Sequence, residues 1–170
     1  MTTKKNILGL DLSLTATGVY CDKCGGSVIK TKTRGMERLR EIADEVAVHI
    51  PHTNIAIIEG YSFGSQGRAT FSIGELGGVI KLLMYDFTIP YIDVAPSALK
   101  KFATGKGNAN KDEVLAAAIR KFNFQGSDNN EADAYILNKI GNAKYNKTIK
   151  LTYQQEVLDK IEWGVLNGVS

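Results

Sequence analysis

Ile7-Leu8-Gly9-Leu10-Asp11-Leu12-Ser13-Leu14-Thr15-Ala16-Thr17-Gly18 sets a single carboxylate inside an otherwise apolar run. Leu8, Leu10, Leu12 and Leu14 fall on one face at period two, and Ile7, Gly9, Asp11 and Ser13 fall on the other, the alternation of a β-strand. Asp11 therefore projects from a sheet. A carboxylate in such a strand is costly unless it is paired, hydrogen-bonded or bound to a cation. The local alternative is that Asp11 caps the turn from Thr15 to Gly18.

Beyond this strand, Val19–Tyr20 and Val28–Thr33 read as the second and third strands of an antiparallel meander, with Gly18 and Gly25-Gly26 marking the turns. The Met36, Leu39, Ala43, Val46 and Ile50 spacing predicts a helix from Gly35 to Ile50, which Pro51 ends. Asn54-Ile55-Ala56-Ile57-Ile58-Glu59-Gly60 is a continuous apolar run closing on a carboxylate. After a helical crossover, such a run fits a strand parallel to the first, and Glu59 then sits at a carboxyl end, where open sheets place ligands.

Tyr61 to Thr70 is a polar, glycine-bearing loop in which Tyr61 and Phe63 are interleaved. A long helix is predicted over Ala69–Asp86, with Leu76, Val79, Ile80, Leu83, Met84 and Phe87 on its apolar side. Gly74, Gly77 and Gly78 each cost such a helix about 1 kcal/mol relative to Ala, so another backbone is expected there, from a second subunit or from the sheet. Pro90–Val94 is a further strand, and Ala95-Pro96 starts a short helix through Phe102. A glycine-rich basic loop, Ala103–Ala109, precedes a helix capped by Asn110 and Glu113. Asp128 and Glu131 have capping-box spacing for the next helix, predicted to end near Gly141, and a final helix is expected over Tyr153–Glu162.

At 170 residues, 44% apolar and 23% charged, the chain has the composition of one ordinary globular domain, residues 1–170. No apolar run reaches the ~18 residues of a membrane span, and the start shows no signal-peptide core, so a cytoplasmic protein is expected. Cys21-Asp22-Lys23-Cys24 and His49-Ile50-Pro51-His52 invite a zinc reading. The 24 residues between the pairs and the close histidine spacing do not fit zinc-finger patterns, so Cys21 to Gly26 reads as a hairpin turn with reduced thiols. Net charge is only +3. Leu99 to Phe122, however, holds Lys100, Lys101, Lys106, Lys111, Arg120 and Lys121 against Asp112 and Glu113, six minus two, or +4. Alone, that is a solvated helix face or a phosphate-binding surface.

Asp11, Glu59 and Asp133 each fall at the end of an element that a mixed sheet with flanking helices can bring together. Three such carboxylates repel one another unless cations intervene, and hard oxygen ligands favour Mg²⁺ or Mn²⁺. In this order the motifs Gly9–Gly18, Ile57-Ile58-Glu59-Gly60-Tyr61-Ser62-Phe63, Ala95–Lys111 and Glu131-Ala132-Asp133-Ala134 resemble the RuvC-type Holliday-junction resolvases of the ribonuclease H-like superfamily, particularly their phage-borne branch. The resemblance spans Ile7 to Ile140.

It implies an α/β fold with a mixed five-stranded sheet: an antiparallel three-strand meander plus parallel strands, flanked by helices. It further implies a homodimeric, Mg²⁺-dependent endonuclease with two ions per active site, Mn²⁺ able to substitute, making paired nicks across a four-way DNA junction. Asp11, Glu59 and Asp133 would hold the metals, with Asn130 standing where the family often has Asp or His. Helix phase places Asn130 on the face of Asp133 and makes Glu131 its rival as fourth ligand. Lys106 and Lys111 would meet phosphates together with Lys100, Lys101 and Arg68, and Tyr61 or Phe63 would stack on an unpaired base.

Other classes compete. Gly9 to Gly18 also resembles the first phosphate motif of actin-like ATPases and sugar kinases, which need a second lobe that 170 residues do not supply. A non-catalytic DNA-binding module of the same fold has no need of Asp11 and Glu59. A broader nuclease for flaps and forks carries the same acids and differs only in loops and dimer geometry.

Overall fold

In a computed structural model of the chain, residues 3–60, 68–149 and 151–164 are described, the side chains of residues 68–70 excepted. Five strands, β1 (Ile7–Asp11), β2 (Thr17–Cys21), β3 (Gly25–Ile29), β4 (Ile55–Glu59) and β5 (Tyr91–Val94), form one sheet in the order β3-β2-β1-β4-β5. β1, β2 and β3 are antiparallel neighbours, and β1, β4 and β5 are parallel. This is the mixed sheet expected from the sequence. The helices are α1 (Gly35–Ala47), α2 (Arg68–Asp86), α3 (Pro96–Thr104), α4 (Lys111–Phe122), α5 (Asn129–Tyr145) and α6 (Thr152–Lys160). No described helix is long and apolar enough to cross a membrane.

The period-two alternation of the strands divides the core in two. Leu8, Leu10, Val19, Cys21, Ala56 and Ile58 pack with α1 and α2, whereas Ile7, Ile55, Ile57, Ile92 and Val94 pack with α3 to α6. Asp11 shares the second face, the one covered by α5. An asparagine ladder ties that helix to the start of the central strand β1: Asn138 Nδ2 donates to the Ile7 carbonyl at 2.8 Å, and Asn142 donates to Asn138 Oδ1 at 3.0 Å. Asn146 donates to the Lys5 carbonyl and accepts from the Lys5 N–H, each at 2.9 Å.

Several boundaries differ from the sequence expectation, each for a local reason. Gly18 is not a turn residue; it lies inside β2 opposite Asp11. β3 begins at Gly25 rather than Val28, because Gly25 at φ 79° reverses the chain within three residues. α1 ends at Ala47, and Pro51 sits instead in a separate 3₁₀ turn over Ile50–His52. Met36 faces solvent and Ile42 takes its place in the buried stripe. Phe87, expected on the apolar side of α2, is exposed beyond the helix end. α5 runs through Gly141 to Tyr145, since Gly141 is where Ile7 and Ile57 press closest on the helix. α6 is capped one residue early, the Gln154 side chain accepting the Leu151 N–H at 3.2 Å.

Candidate active site

The parallel register pairs Leu10 with Ile58, so one residue further Asp11 and Glu59 emerge side by side from β1 and β4. Both point to the α5 face, one strand spacing (about 4.8 Å) apart. At Gly9 and Gly18, α5 approaches with no side chain between its backbone and the sheet. A Cβ at Gly9 would overlap the Ala134 carbonyl oxygen, and one at Gly18 would overlap that of Asn130. This close approach carries Asp133, on the first turns of α5, down onto Asp11. Asp11 is 5% exposed and Asp133 8%, while Glu59 is half-buried and hydrogen-bonded to Asp11 through the side chains.

Burial, followed by the hydrogen bond and the charge of Glu59, pushes the Asp11 carboxyl up to about 8. Burial and then the charge of Asp11 raise Asp133 to about 7, and burial raises Glu59 as well. Lys111 opposes these shifts at all three acids, and Lys100 does so at Glu59 and Asp133. Buried carboxylates that hold protons against one another in this way are a donor set for a hard divalent cation, which would replace the protons and cancel the repulsion.

The pH dependence of the metal-free protein follows. An acid raised above its ordinary value holds more protons in the folded than in the unfolded chain. Its contribution is therefore undiminished below about pH 4 and declines as pH rises toward 8. In chelator, Tm is expected to fall by about 5 °C or more from pH 5 to pH 8, and Asp11→Asn should remove much of that slope. Mg²⁺ should restore the wild-type Tm at pH 8 far more than at pH 5. Scanning calorimetry of the two proteins with and without Mg²⁺ checks this, and equal slopes would show that Asp11 is not under this strain.

The residues flanking the acids are arranged differently from the sequence expectation. Asn130 does share the Asp133 side of α5, yet its Oδ1 accepts from Lys111 Nζ at 3.3 Å, so the amide orients a lysine beside the acids. Glu131 points away. Its carboxylate lies over Gly26 of β3, too far round the helix to join Asp11, and it makes no return bond to Asp128. The capping box is thus complete at α4, where Asn110 and Glu113 bond reciprocally, and only half formed at α5, where Asp128 alone accepts from Asn130 and Glu131 N–H at 2.8 and 3.1 Å.

Asp128 itself acts on the site. Its charge raises both Asp11 and Asp133, making it the additional acidic influence that sequence reading had assigned only to capping. Its position two residues before Asn130 was the available signal. Lys100 faces the acids, whereas Lys101, 100° further round α3, is ion-paired with Glu156 of α6 at 2.8 Å on the surface. Lys106 is exposed on the loop between α3 and α4. Tyr61 and Phe63, and the side chain of Arg68, lie outside the described residues.

Comparison with known proteins gives concordant matches. The family model described as "Crossover junction endodeoxyribonuclease RuvC" matches residues 7–138. A RuvC of Prochlorococcus marinus is 30% identical over 134 residues, covering 70% of this chain and 84% of that protein. A Synechococcus RuvC is 30% identical over 91 residues, in an alignment spanning about half of each, 54% of this chain and 55% of the relative. Among solved structures, Thermus thermophilus RuvC in complex with Holliday junction substrate superposes with a TM-score of 0.70 at 20% identity, covering 86% of this chain and 98% of that one. The fold is the one these proteins share.

Proposed function

The chain belongs to the RuvC family of crossover junction endodeoxyribonucleases, and from that premise we propose that it resolves four-way DNA junctions by metal-dependent phosphodiester hydrolysis at Asp11, Glu59 and Asp133. The observation that carries this reading is the convergence of three acids from β1, β4 and α5, two buried and Glu59 half-buried, with Lys111 and Lys100 beside them. An all-carboxylate site suits Mg²⁺, with Mn²⁺ as a substitute. Two such ions when bound supply an activated water and a counter-charge for the leaving 3′ oxygen.

This chain's own groups account for the rest. The α5 face of the sheet holds the acids in place before DNA arrives, and Asn130 holds the Lys111 ammonium at the rim, where it can meet a phosphate next to the scissile bond. Incubating the protein with a labelled four-way junction, a fork and a linear duplex tests the proposal. Symmetric paired nicks in the junction with Mg²⁺ or Mn²⁺, none with Ca²⁺, and little cutting of duplex are expected. Equal cutting of fork and junction would make it a general branched-DNA nuclease.

The basic loop supplies the ground-state grip. Lys106→Ala and Lys111→Ala should each weaken junction binding and flatten its salt dependence, the log–log slope falling by about 0.9 for every phosphate that the variant no longer neutralises. Lys111→Ala should also slow cleavage, since it alone of the two stands beside the acids. Binding titrations across a salt series measure both, and unchanged slopes would return these lysines to plain solvation.

A homodimer is part of the same proposal, and α2 offers the surface. Phe71, Leu82 and Tyr85 are 77%, 59% and 54% exposed, and they share one narrow face of the helix with Gly74 and Gly78. Among the described residues, no atom outside the helix's own backbone stands within 4 Å of a Cβ at either glycine, so the described sheet does not pack on them. An exposed apolar stripe with bare backbone at its centre suits a second α2 related by a two-fold axis. Leu82→Glu should give a folded monomer by sedimentation velocity and replace paired cuts with slow single nicks. A dimer that survives this change would place the interface elsewhere.

A further inference from the structure

Away from the acids, the hairpin between β2 and β3 meets the end of α1 through two sulfurs and an imidazole. One ligand atom each from Cys21, Cys24 and His49 lies within 4.8 Å of the other two. We propose that Cys21, Cys24 and His49 form a zinc site that fastens the β2–β3 hairpin to the loop following α1. The site is distinct from the nuclease centre. Cys21 pairs with Leu8 and Asp11 with Gly18, so the two lie three residues apart along β1, about 10 Å, and on opposite faces of the sheet.

The surrounding structure prepares these ligands. Asp22, between the cysteines, faces the other way: its carboxylate accepts the Ile7 N–H at 2.8 Å and Asn142 Nδ2 at 3.2 Å, which anchors the turn to β1 and α5. With Asp22 fixed and Gly25 in the left-handed region at φ 79°, the chain doubles back and returns Cys24 toward Cys21. His49 is fixed through its backbone, its N–H donating to the Val46 carbonyl at 3.0 Å and its carbonyl accepting from Thr53 Oγ1 at 2.8 Å. Its Nδ1 is buried and has no hydrogen-bond partner among the described residues, so the fold commits that nitrogen to nothing else.

Two thiolates and an imidazole are soft and borderline donors that select zinc over the hard cations of the acid site. Tetrahedral coordination needs ligand atoms about 3.8 Å apart, a contraction of at most about 1 Å that an exposed Cys24 in a turn can make. The exposure of Cys24 leaves room for a water as the fourth ligand.

Cobalt substitution tests the proposal, because a thiolate–Co²⁺ charge-transfer band cannot arise from carboxylates. The reduced full-length protein, prepared as wild type and as Asp11→Asn/Glu59→Gln, should titrate to about one thiolate-bound Co²⁺ per chain and lose the band when Zn²⁺ is added. Cys24→Ser should abolish the band, and His49→Ala should weaken it and shift its visible transitions. Because Cys24 is exposed, its replacement leaves the fold intact, which circular dichroism verifies. Zn²⁺ should raise the Tm of the acid-site double variant by several degrees and leave that of Cys24→Ser unmoved. Absence of the band in the reduced wild type, a band unchanged in Cys24→Ser, or air oxidation of the reduced chain to a Cys21–Cys24 disulfide as fast with Zn²⁺ as without it would each overturn the site.

Discussion

Replacing Asp11 by Asn, Glu59 by Gln or Asp133 by Asn should each reduce junction cleavage by about 10³-fold or more while leaving junction binding intact. The acids hold the groups that stabilise charge developing in the transition state, whereas ground-state affinity comes from lysine–phosphate contacts. At pH values high enough to ionise these raised acids, each substitution also removes a negative charge from a place where the backbone phosphate must come. In the absence of divalent ions, the three variants should therefore bind the junction as tightly as wild type or more tightly. The acids act as one unit, so combining two substitutions should cost little beyond the larger single effect. Single-turnover cleavage in Mg²⁺, paired with binding in Ca²⁺, measures the split. A variant that keeps near wild-type cleavage would remove its residue from the site, and one that loses binding in proportion to cleavage would make it a DNA contact.

The acids were legible because each is announced by a local pattern that survives folding. Asp11 follows from strand alternation, Glu59 from an apolar run ending on a carboxylate, and Asp133 from helix phase after a cap at Asp128. The periodicities that revealed them also put Asp11 on the correct face of the sheet. What failed to show were features fixed by elements distant in sequence. Asn130 has the right phase for a metal ligand, but α4 brings Lys111 to its amide oxygen. Glu131 has capping-box spacing, yet β3 offers its carboxylate the side-chain-free surface of Gly26. Cys21, Cys24 and His49 failed a test of spacing along the chain, because α1 carries the backbone out and returns it to the hairpin. Gly18 and Gly141 looked like punctuation, since a glycine required by a turn and one required by close packing are the same letter.

That ambiguity has an experimental consequence at Gly9 and Gly18. Gly9→Ala would place a methyl group into the Ala134 carbonyl and within 2.8 Å of the Asn138 nitrogen, both backbone atoms in the middle of α5. The helix cannot yield locally there, because Asn138 is also tied to the Ile7 carbonyl at 2.8 Å. It must lift as a body or the strand must bend, at a cost of about 3 kcal/mol or more, which for a chain of this length lowers Tm by roughly 6–12 °C. Gly18→Ala meets the Asn130 carbonyl instead, on the first turn of α5, which is held by Asp128 capping, the Lys111 hydrogen bond and burial of Ala132 but by no side-chain tie to β1 like that of Asn138. That turn can move, so the loss of stability should be smaller. Its movement carries Asp133 away from Asp11, and cleavage should fall by about tenfold or more at temperatures where the protein remains folded. The two alanines should therefore separate: Gly9→Ala chiefly lowers Tm, and Gly18→Ala chiefly lowers the cleavage rate. Gly164→Ala is the control, since no described atom lies within 4 Å of a Cβ there and it belongs to neither the acid site nor α2. Equal small effects at Gly9 and Gly164 would mean that α5 does not rest directly on β1, and the acid site would then lack the support that brings Asp133 into it.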